Sequence, residues 1–274
     1  MGREIRMVKY DAELKVEAYH FQGIMQKFPN HFHDYYVIGF IENGQRCLSC
    51  KNKNYRIEPG DLLLFNPRDN HACEQIDGKT LDYRCINIQQ ETMSKAVFEI
   101  TERNYSPYFT PQVVFHSELV SLLGELHQMI MREEKDFRKE EIFFFLLEQL
   151  IEEYTEQEMP PAKPGQSAEA KAICEFLENN YSKNITLDDL SGLTGLSKYH
   201  LLRSFTKQKG ISPYSYLTTI RIDQAKKLLE QGVTPLDTAL QTGFADQSHF
   251  SNFFKKFIGL TPKQYGNIFK NACN

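Results

Sequence analysis

The sequence lacks a long hydrophobic run, a secretory signal and a strong net charge. No apolar segment approaches the ~18 residues that a membrane span requires, so we expect no membrane partner. The N-terminal segment MGREIRMVKYDAELKVEA has no apolar core of the kind found in signal peptides, which predicts a cytoplasmic protein. The six cysteines are therefore expected to be reduced thiols.

The net charge of −4 conceals an uneven distribution along the chain. Residues 1–168 hold 19 Lys and Arg against 27 Asp and Glu, whereas residues 169–274 hold 13 against 9. A mildly basic C-terminal part suits contact with phosphates, but this excess alone is too small to predict nucleic-acid binding. The length of 274 residues suggests two domains, each large enough for its own core.

Short apolar segments separated by turn signals fill the region between residues 35 and 88. They are YYVIGFI (35–41), QRCLSC (45–50), YRIE (55–58), DLLLFN (61–66), HACEQI (71–76) and TLDYRCINI (80–88). Asn-Gly, Pro-Gly and Asp-Gly pairs lie between several of them. Short strands at this spacing predict an all-β sandwich or barrel, which we place at about residues 10–90.

Helical spacing replaces the strand pattern further along the chain. Leucines between 119 and 126 recur at helical intervals, and IFFFLLEQLIEEY (142–154) is too apolar for a free surface helix. We expect these helices, at about 117–155, to cover the barrel, to pair with a second subunit, or to do both. Residues 1–156 are thus predicted to form one domain. The Pro-rich segment 157–169 is typical of a linker and leads to a second domain at 170–274.

The last third of the chain contains one pattern twice. Residues 186–213 are TLDDLSGLTGLSKYHLLRSFTKQKGISP, and residues 234–262 are TPLDTALQTGFADQSHFSNFFKKFIGLTP. In each copy a threonine can cap a helix, a glycine (Gly195 or Gly243) permits a tight turn, and a second helix follows. Residues 214–230 are predicted to form a long helix that joins the copies. This repeat predicts two adjacent helix-turn-helix units.

The second helix of each copy has a polar side suited to DNA. In the first copy it carries Lys198, Tyr199, Arg203 and Lys207, and in the second Gln247, Ser248, His249, Asn252, Lys255 and Lys256. Side chains of these types read base edges in the major groove. Lys207, Lys255 and Lys256 are better suited to phosphates. A bundle of six helices with solvated charges is the alternative, but two copies with matching caps favour DNA reading.

Residues 170–270 resemble the DNA-binding domain of AraC-type (AraC/XylS) transcriptional regulators. The matching motifs are ITLDDLSGLTGLSKYHLLRSFTKQKGISPYSYL, RIDQAKKLLE and TALQTGFADQSHFSNFFKKFIGLTPKQY. The resemblance implies that the base contacts come from Tyr199, Leu202, Arg203, Gln247, Ser248, His249 and Asn252. Arg221 lies where the family has an arginine, for which a structural role and a DNA contact both stay open. Gly266 lies where the family usually has Arg, so a phosphate contact is weakened there.

Residues 29–71 resemble a cupin, a β-barrel that precedes the DNA-binding domain in many AraC-type regulators. The motifs are PNHFH (29–33) running to Gly44, and PGD (59–61) running to Pro67 and His71. The resemblance makes His31, His33 and His71 candidate metal ligands, but Val37 occupies the usual carboxylate position. We therefore favour no metal and no cofactor, with a three-histidine zinc site as the alternative.

Two other features of this region bear on ligand binding. The Cys47 and Cys50 side chains of a predicted strand point to opposite faces, so we interpret both as buried thiols rather than as half of a zinc site. Barrel mouths are favoured sites for small molecules. The residues predicted to line an effector site are His31, His33, Arg46, His71 and Tyr83.

These patterns together predict an α+β protein with an N-terminal cupin-like barrel, trailing helices and an all-α C-terminal domain with two helix-turn-helix motifs. The expected function is sequence-specific transcription regulation, usually activation in this family, controlled by a small-molecule effector. The expected partners are double-stranded DNA, RNA polymerase and a second copy of the chain. No enzyme activity is expected. The alternatives are a metal-dependent cupin enzyme fused to a DNA-binding domain, and a regulator whose N-terminal domain only oligomerises.

Overall fold

The computed structural model describes residues 4–51, 53–135, 137–155 and 167–270. The chain divides into two compact units, of which the first comprises residues 1–27 and 33–159 and the second residues 28–32 and 160–274. The predicted linker at 157–169 lies outside the described residues as far as residue 166, and its last two residues already belong to a helix. Within the described ranges, no helix is long and apolar enough to cross a membrane.

The described chain has ten strands, and those of the first unit form two antiparallel sheets, in agreement with the predicted sandwich or barrel. The strands are β1 (Ile5–Asp11), β2 (Val16–Ile24), β3 (Phe28–His31), β4 (Tyr35–Asn43), β5 (Arg46–Cys50), β6 (Lys53–Ile57), β7 (Leu62–Phe65), β8 (His71–Gln75), β9 (Leu81–Gln89) and β10 (Val113–Val114). The larger sheet has the order β1-β2-β9-β4-β7-β10, and the strands of the smaller sheet that belong to the first unit have the order β8-β5-β6. Each of the six predicted segments overlaps a strand, whereas none of them covers β1, β2, β3 or β10.

Three helices cover one face of the larger sheet. They are α1 (Gln90–Thr101), α2 (Leu119–Met131) and α3 (Phe137–Tyr154). Successive side chains of a strand point to opposite faces. Accordingly Ile38, Ile86 and Ile88 alternate with the residues of the other face and join Leu126 and Leu147 in one buried core. Within one chain, therefore, α2 and α3 cover the barrel, as the first of the two expected arrangements requires.

A buried ion pair fixes the start of α3 against the first hairpin. The Lys139 ammonium lies 2.6 Å from an Asp11 carboxylate oxygen and 2.8 Å from a Glu13 oxygen. Lys139 is only 3% exposed. Removal of Asp11 or Glu13 would therefore leave the buried Lys139 ammonium with fewer negative charges beside it, which is destabilising. The interaction joins two segments that are 126 residues apart in sequence.

Seven helices make up the described part of the second unit beyond residue 160. They are α4 (Ala168–Asn180), α5 (Leu187–Thr194), α6 (Lys198–Lys209), α7 (Pro213–Glu230), α8 (Pro235–Gln241), α9 (Gln247–Ile258) and α10 (Pro262–Lys270). The pairs α5/α6 and α8/α9 are the two predicted helix-turn-helix units, and α7 is the predicted joining helix. Pro213 and Pro262, which end the two repeats, each begin the next helix at a position where a missing N–H costs nothing.

The long helix α7 contributes to the cores of both repeats. Leu217 and Ile220 near its start pack in one cluster with Leu201 and Phe205 of α6. Near its other end, Glu230 accepts a hydrogen bond of 2.7 Å from the hydroxyl of Tyr265. The Tyr265 ring contacts Phe254 of α9, whose ring in turn contacts Phe250. Helix α7 thereby supports both helix-turn-helix units and holds them in a common scaffold.

Candidate functional site

The first helix-turn-helix unit is built by local capping interactions. The Thr186 hydroxyl accepts a hydrogen bond from the Asp189 N–H (3.2 Å), and the Thr186 N–H donates to the Asp189 carboxylate (2.8 Å), which completes the predicted capping box. Gly195 ends α5 in the left-handed conformation at φ 69°. The Ser197 hydroxyl then accepts from the His200 N–H and begins α6. These local contacts are why the unit could be located from sequence alone.

The second helix-turn-helix unit follows the same plan, with Asp246 as its second cap where the first has Ser197. The Thr234 hydroxyl accepts from the Asp237 N–H (3.2 Å) and donates to the Asp237 carboxylate (2.6 Å). Gly243 has φ 79° in the turn. Asp246 begins α9, because its carboxylate accepts from the His249 N–H at 2.7 Å. The helix turns Phe254 inward, where it is fully buried.

The two turn glycines differ in their surroundings. A Cβ atom on Gly195 would meet nothing within 4 Å, so only its backbone conformation favours glycine. A Cβ atom on Gly243 would lie 2.8 Å from the carbonyl oxygens of both Tyr181 and Ser182. The second turn therefore presses directly against the backbone that follows α4. Gly243 is required both by conformation and by space.

Arg221 reinforces the same junction. Its Nε donates to the Tyr181 carbonyl (2.8 Å) and its Nη2 to the Lys183 carbonyl (2.9 Å). The guanidinium also lies 5.9 Å from the centre of the Phe244 ring. Burial lowers the pKa of Arg221 from its ordinary value. Of the two roles left open for Arg221, these contacts support the structural one.

The predicted DNA-contacting residues of α6 lie mostly at the surface. Lys198, Arg203 and Lys207 are exposed, and Leu202 is half-buried. The Lys198 ammonium pairs with Asp188 of α5 at 2.6 Å, a partner that no sequence motif predicted. Tyr199 belongs to α6, but its side chain lies outside the described part. A contact between any of these residues and DNA stays a prediction.

The predicted contacts of α9 are exposed along one helix. They are Gln247, Ser248, His249, Asn252, Lys255 and Lys256. The His249 ring meets Phe253 edge-on at 4.7 Å and lies 5.8 Å from Phe244, so aromatic neighbours limit its orientation. Lys255 and Lys256 occupy the last turn, away from the helix start that would enter the groove. The division of these residues into base-reading and phosphate-binding positions stays a prediction.

In the N-terminal compact unit, which comprises residues 1–27 and 33–159, His33 and His71 lie together, with ring centroids 5.2 Å apart. His33 stacks on Tyr35, and His71 stacks on Phe65. His71 is bonded to the Asp69 carbonyl through Nδ1 (2.9 Å), and burial lowers its pKa to about 4, so it is neutral at neutral pH. Neutral imidazole is the form that binds metals.

His31, the third candidate, belongs to the segment 28–32 that groups with the second unit, and its Nδ1 lies 2.6 Å from the Pro29 carbonyl. Val37, at the usual carboxylate position, pairs with Asn87 in the larger sheet and supplies no ligand atom. The expectation that the barrel holds no metal stays a prediction, and a zinc site formed by the three histidines stays the alternative.

The cysteines of β5 lie on opposite faces of the smaller sheet, as expected. In the register between β5 and β8, Cys47 is opposite Glu74 and Cys50 is opposite His71. Cys50 is buried, but Cys47 is only half-buried, so the expectation of two buried thiols is wrong for Cys47. The difference arises because alternate positions of one strand face different surroundings.

Arg46 and Tyr83, the other two predicted effector contacts, already have defined roles in the fold. The Arg46 guanidinium donates to the carbonyls of Gln45 (2.7 Å), Lys79 (3.1 Å) and Ile24 (2.6 Å). It therefore holds three backbone segments together. The Tyr83 ring lies against Gly39, where an added Cβ would clash with the Tyr83 hydroxyl.

Two groups of polar side chains in the N-terminal compact unit were not predicted from the sequence. Glu17 accepts hydrogen bonds from Tyr19 (3.1 Å) and from Asn87 (3.3 Å) on the face of the larger sheet opposite the helices. On the helical side, His127 of α2 lies beside His20, with ring centroids 6.2 Å apart. The His127 Nε2 bonds to the Tyr19 carbonyl (2.9 Å), and burial lowers the His127 pKa to about 4. Only the pairing of distant segments reveals either grouping.

Comparison with known proteins identifies the family. A model of the AraC-like ligand-binding domain matches residues 13–170, and a model of a helix-turn-helix domain matches residues 190–267. The chain belongs to the AraC family of transcriptional regulators. The predicted family and fold class are thus confirmed.

Relatives of the AraC family cover nearly the whole chain. The HTH-type transcriptional regulator YbfI of Bacillus subtilis is 62% identical over 249 residues, which are 91% of this chain and 90% of that protein. The transcriptional activator RhaS of Klebsiella pneumoniae is 23% identical over 244 residues, 86% of each chain. Among solved structures, an apo form of ToxT from Vibrio cholerae has a TM-score of 0.55 at 17% identity and covers 95% of this chain and 99% of its own. This last likeness concerns the fold.

Proposed function

We propose that this AraC-family DNA-binding regulator recognises an asymmetric DNA site with α6 and α9 and is controlled by an effector that binds the N-terminal barrel. The supporting observation is that the two repeats share the first threonine cap, the turn glycine and a buried phenylalanine but differ at most of the positions assigned to base contacts.

Alignment of the two helices on Phe205 and Phe254 makes the difference explicit. Lys198, Tyr199, Leu202 and Arg203 correspond to Gln247, Ser248, Ser251 and Asn252. The exposed positions that agree are His200 with His249 and Lys207 with Lys256. The two helices share a scaffold but carry different side chains at their starts, so they read different bases. The DNA site that one chain recognises therefore need not be palindromic.

The exposed residues divide into two classes by chemistry. Tyr199, Leu202 and Arg203 near the start of α6, and Gln247, Ser248, His249 and Asn252 on α9, are assigned to base edges. Lys207, Lys255 and Lys256, at the ends of the two helices, are assigned to phosphates. Leu202 would contact a thymine methyl group, since it offers no polar atom.

Selection of bound sequences from a random DNA pool, followed by footprinting, tests the proposal. Two reading helices per chain predict two blocks of preferred bases for each subunit, about one helical turn or ~34 Å apart. The blocks should differ in sequence because the exposed residues differ. A single block, or two identical blocks per subunit, would contradict the proposal.

The proposed regulatory role extends to activation, dimerisation and contact with RNA polymerase. RhaS, the relative from Klebsiella pneumoniae, is named a transcriptional activator. The surface of α3 exposes the apolar side chain of Phe145 (51%), which suits a contact with a second copy. We propose a homodimer that activates transcription in the cytoplasm, where both DNA and RNA polymerase are present in a bacterium.

Effector control is supported by the matched ligand-binding domain and by one structural neighbour. A solved structure of wild-type ToxT from Vibrio cholerae, with a TM-score of 0.53 at 17% identity, is described as bound to an unsaturated fatty acid. We carry over only the idea that a barrel of this fold holds an organic molecule. Its chemical class must come from the residues of this chain.

A metal-binding barrel is the second candidate, because His33 and His71 lie side by side and His71 is neutral. Metal analysis of the purified protein distinguishes a barrel that binds a metal from one that binds an organic effector. A stoichiometric metal that is lost in the variant His33→Ala/His71→Ala would favour a metal-dependent cupin enzyme joined to a DNA-binding domain. Metal-free protein that still responds to an organic molecule would contradict that alternative.

A further inference from the structure

A short segment from the N-terminal part of the sequence belongs to the C-terminal compact unit. Residues 28–32 group with residues 160–274, whereas their neighbours Lys27 and His33 belong to the N-terminal compact unit. The segment is here called the strap. Because it is remote in sequence from the two helix-turn-helix repeats, its place beside them has to be explained by what it contacts there.

Two neighbouring residues of the strap contact the same end of two different helices. The Asn30 side-chain amide donates a hydrogen bond of 2.7 Å to the Gly210 carbonyl, at the C-terminal end of α6. The His31 ring meets the Phe257 ring edge-on in the last turn of α9, with centroids 5.4 Å apart. Successive side chains of a strand point to opposite faces, so adjacent residues can reach both helices. The strap thus bridges the C-terminal ends of α6 and α9.

Phe32 anchors the strap in a buried cluster. Its side chain is 2% exposed and packs in the same cluster as Leu201 and Phe205 of α6. Its ring lies 5.0 Å from the ring of Tyr216 on α7, the helix that joins the repeats. Burial of a whole phenylalanine side chain is favourable. The other contacts of the strap are therefore made from a fixed position.

The two repeats differ at the position that the strap contacts. When α6 and α9 are aligned on Phe205 and Phe254, Phe257 corresponds to Gln208. Gln208 is exposed and bonds to the Ser167 hydroxyl (3.1 Å), whereas Phe257 is only 7% exposed. The shared scaffold of the repeats therefore does not require an aromatic residue here. The aromatic side chain of α9 matches the ring that the strap presents to it.

We propose that the strap fixes the separation and orientation of α6 relative to α9, with Asn30 and His31 as positioning residues and Phe32 as their anchor. Helix α7 already joins the two repeats, and the strap adds a second connection at the C-terminal ends of α6 and α9. The proposed base contacts begin at the other ends of these helices, so the strap acts through the helices and not on DNA. The inference rests on the proposed function, because the separation matters only if both helices read DNA.

Spacing variants of the selected DNA site test the proposal on the full chain. One base pair is added or removed between the two blocks, which shifts one block by ~3.4 Å and rotates it about the DNA axis. We expect the wild type to bind such sites about tenfold more weakly than the original site, because one block loses its base contacts. Equal binding of all spacings by the wild type would contradict a fixed separation.

Removal of the strap contacts should relax this dependence on spacing. In Asn30→Ala/His31→Ala both helix ends lose their contact while Phe32 keeps the anchor, and we expect the penalty to fall to about threefold or less. His31→Phe keeps an aromatic ring against Phe257 and should retain the wild-type penalty. This variant separates packing from any role of the histidine in the barrel. An unchanged penalty in the double variant, or a relaxed one in His31→Phe, would overturn the proposal.

Leu177→Ala is the matched control for stability. Leu177 of α4 is 1% exposed and belongs to the same buried cluster as Phe32, but it is not part of the strap. A loss of folded protein weakens binding to every site by the same factor, so Leu177→Ala should lower the melting temperature and leave the spacing penalty unchanged. If it relaxes the penalty as much as the double variant, the strap only stabilises the fold and the proposal is wrong.

A distance measurement without DNA separates this inference from the proposed function. Spin labels on unnatural residues at Lys207 and Lys255, which are exposed near the ends of α6 and α9, report the separation of the helices. We expect a broader distribution of distances in the double variant than in the wild type or Leu177→Ala. Equal widths would refute the strap even if selection yields two DNA blocks. Broadening together with a selected site of one block would support the strap and contradict two-block reading.

Discussion

Replacement of the two turn glycines by alanine should have unequal effects on stability, although both lie at the same point of the repeat. Gly195 and Gly243 have similar positive φ angles, 69° and 79°. For an L-residue this left-handed conformation costs about 1–2 kcal/mol. That is the whole expected cost of Gly195→Ala, since nothing lies within 4 Å of the added Cβ.

Gly243→Ala carries an additional cost from overpacking. The new Cβ would lie 2.8 Å from the carbonyl oxygens of Tyr181 and Ser182. Arg221 holds this stretch through the Tyr181 carbonyl, so the backbone cannot withdraw freely. Overpacking of a fixed site costs about 1–3 kcal/mol. Gly243→Ala should therefore destabilise the helical unit by about twice as much as Gly195→Ala.

Thermal unfolding of the full chain, followed by far-UV circular dichroism, measures the difference. For a domain of this size each kcal/mol lowers the melting temperature by about 4–8 °C. Gly195→Ala serves as the matched control, because it shares the conformational cost without the close contact. Equal melting temperatures for the two variants would refute the reasoning that Gly243 packs against the backbone after α4.

Three other predictions concern acid stability, salt dependence and metal. Burial lowers the pKa of His127 to about 4, so the folded protein binds a proton there less readily than the unfolded chain does. The free energy of unfolding should therefore fall by about 3 kcal/mol between pH 6.5 and 4. Chemical denaturation at the two pH values should show a smaller loss in His127→Gln. Lys255→Ala should weaken DNA binding uniformly and lower the salt slope by about one; an unchanged slope would exclude a phosphate contact. Atomic emission analysis of the purified protein should find no stoichiometric metal, and a metal lost on replacement of His33 and His71 would contradict this.

The helical repeat could be predicted from sequence because its determinants are local. Thr186 and Asp189 are three residues apart, and Gly195 requires only its own backbone conformation. Contacts between distant segments could not be predicted in this way. The role of Arg221 depends on the backbone after α4, and the second reason for glycine at 243 depends on the same stretch.

The barrel shows the same limit more strongly. Turn residues marked six of its strands, but β1 carries charged residues at several positions and β2 carries Glu17, and the segments before and between them lack such marks. The grouping of Glu17 with Asn87 depends on the register between strands that are 70 residues apart in sequence. Helix α1 was missed because only Met93, Ala96 and Val97 of its residues are buried, which leaves a weak apolar pattern.

Base-by-base binding by two variants tests the central claim that one chain reads two different blocks of DNA. On the selected site, Arg203→Ala should lose its preference in one block and Asn252→Ala in the other. Each should cost about 1–3 kcal/mol at the bases concerned and leave the remaining block unaffected. Loss of preference in the same block for both variants, or uniform weakening on every sequence, would contradict the account.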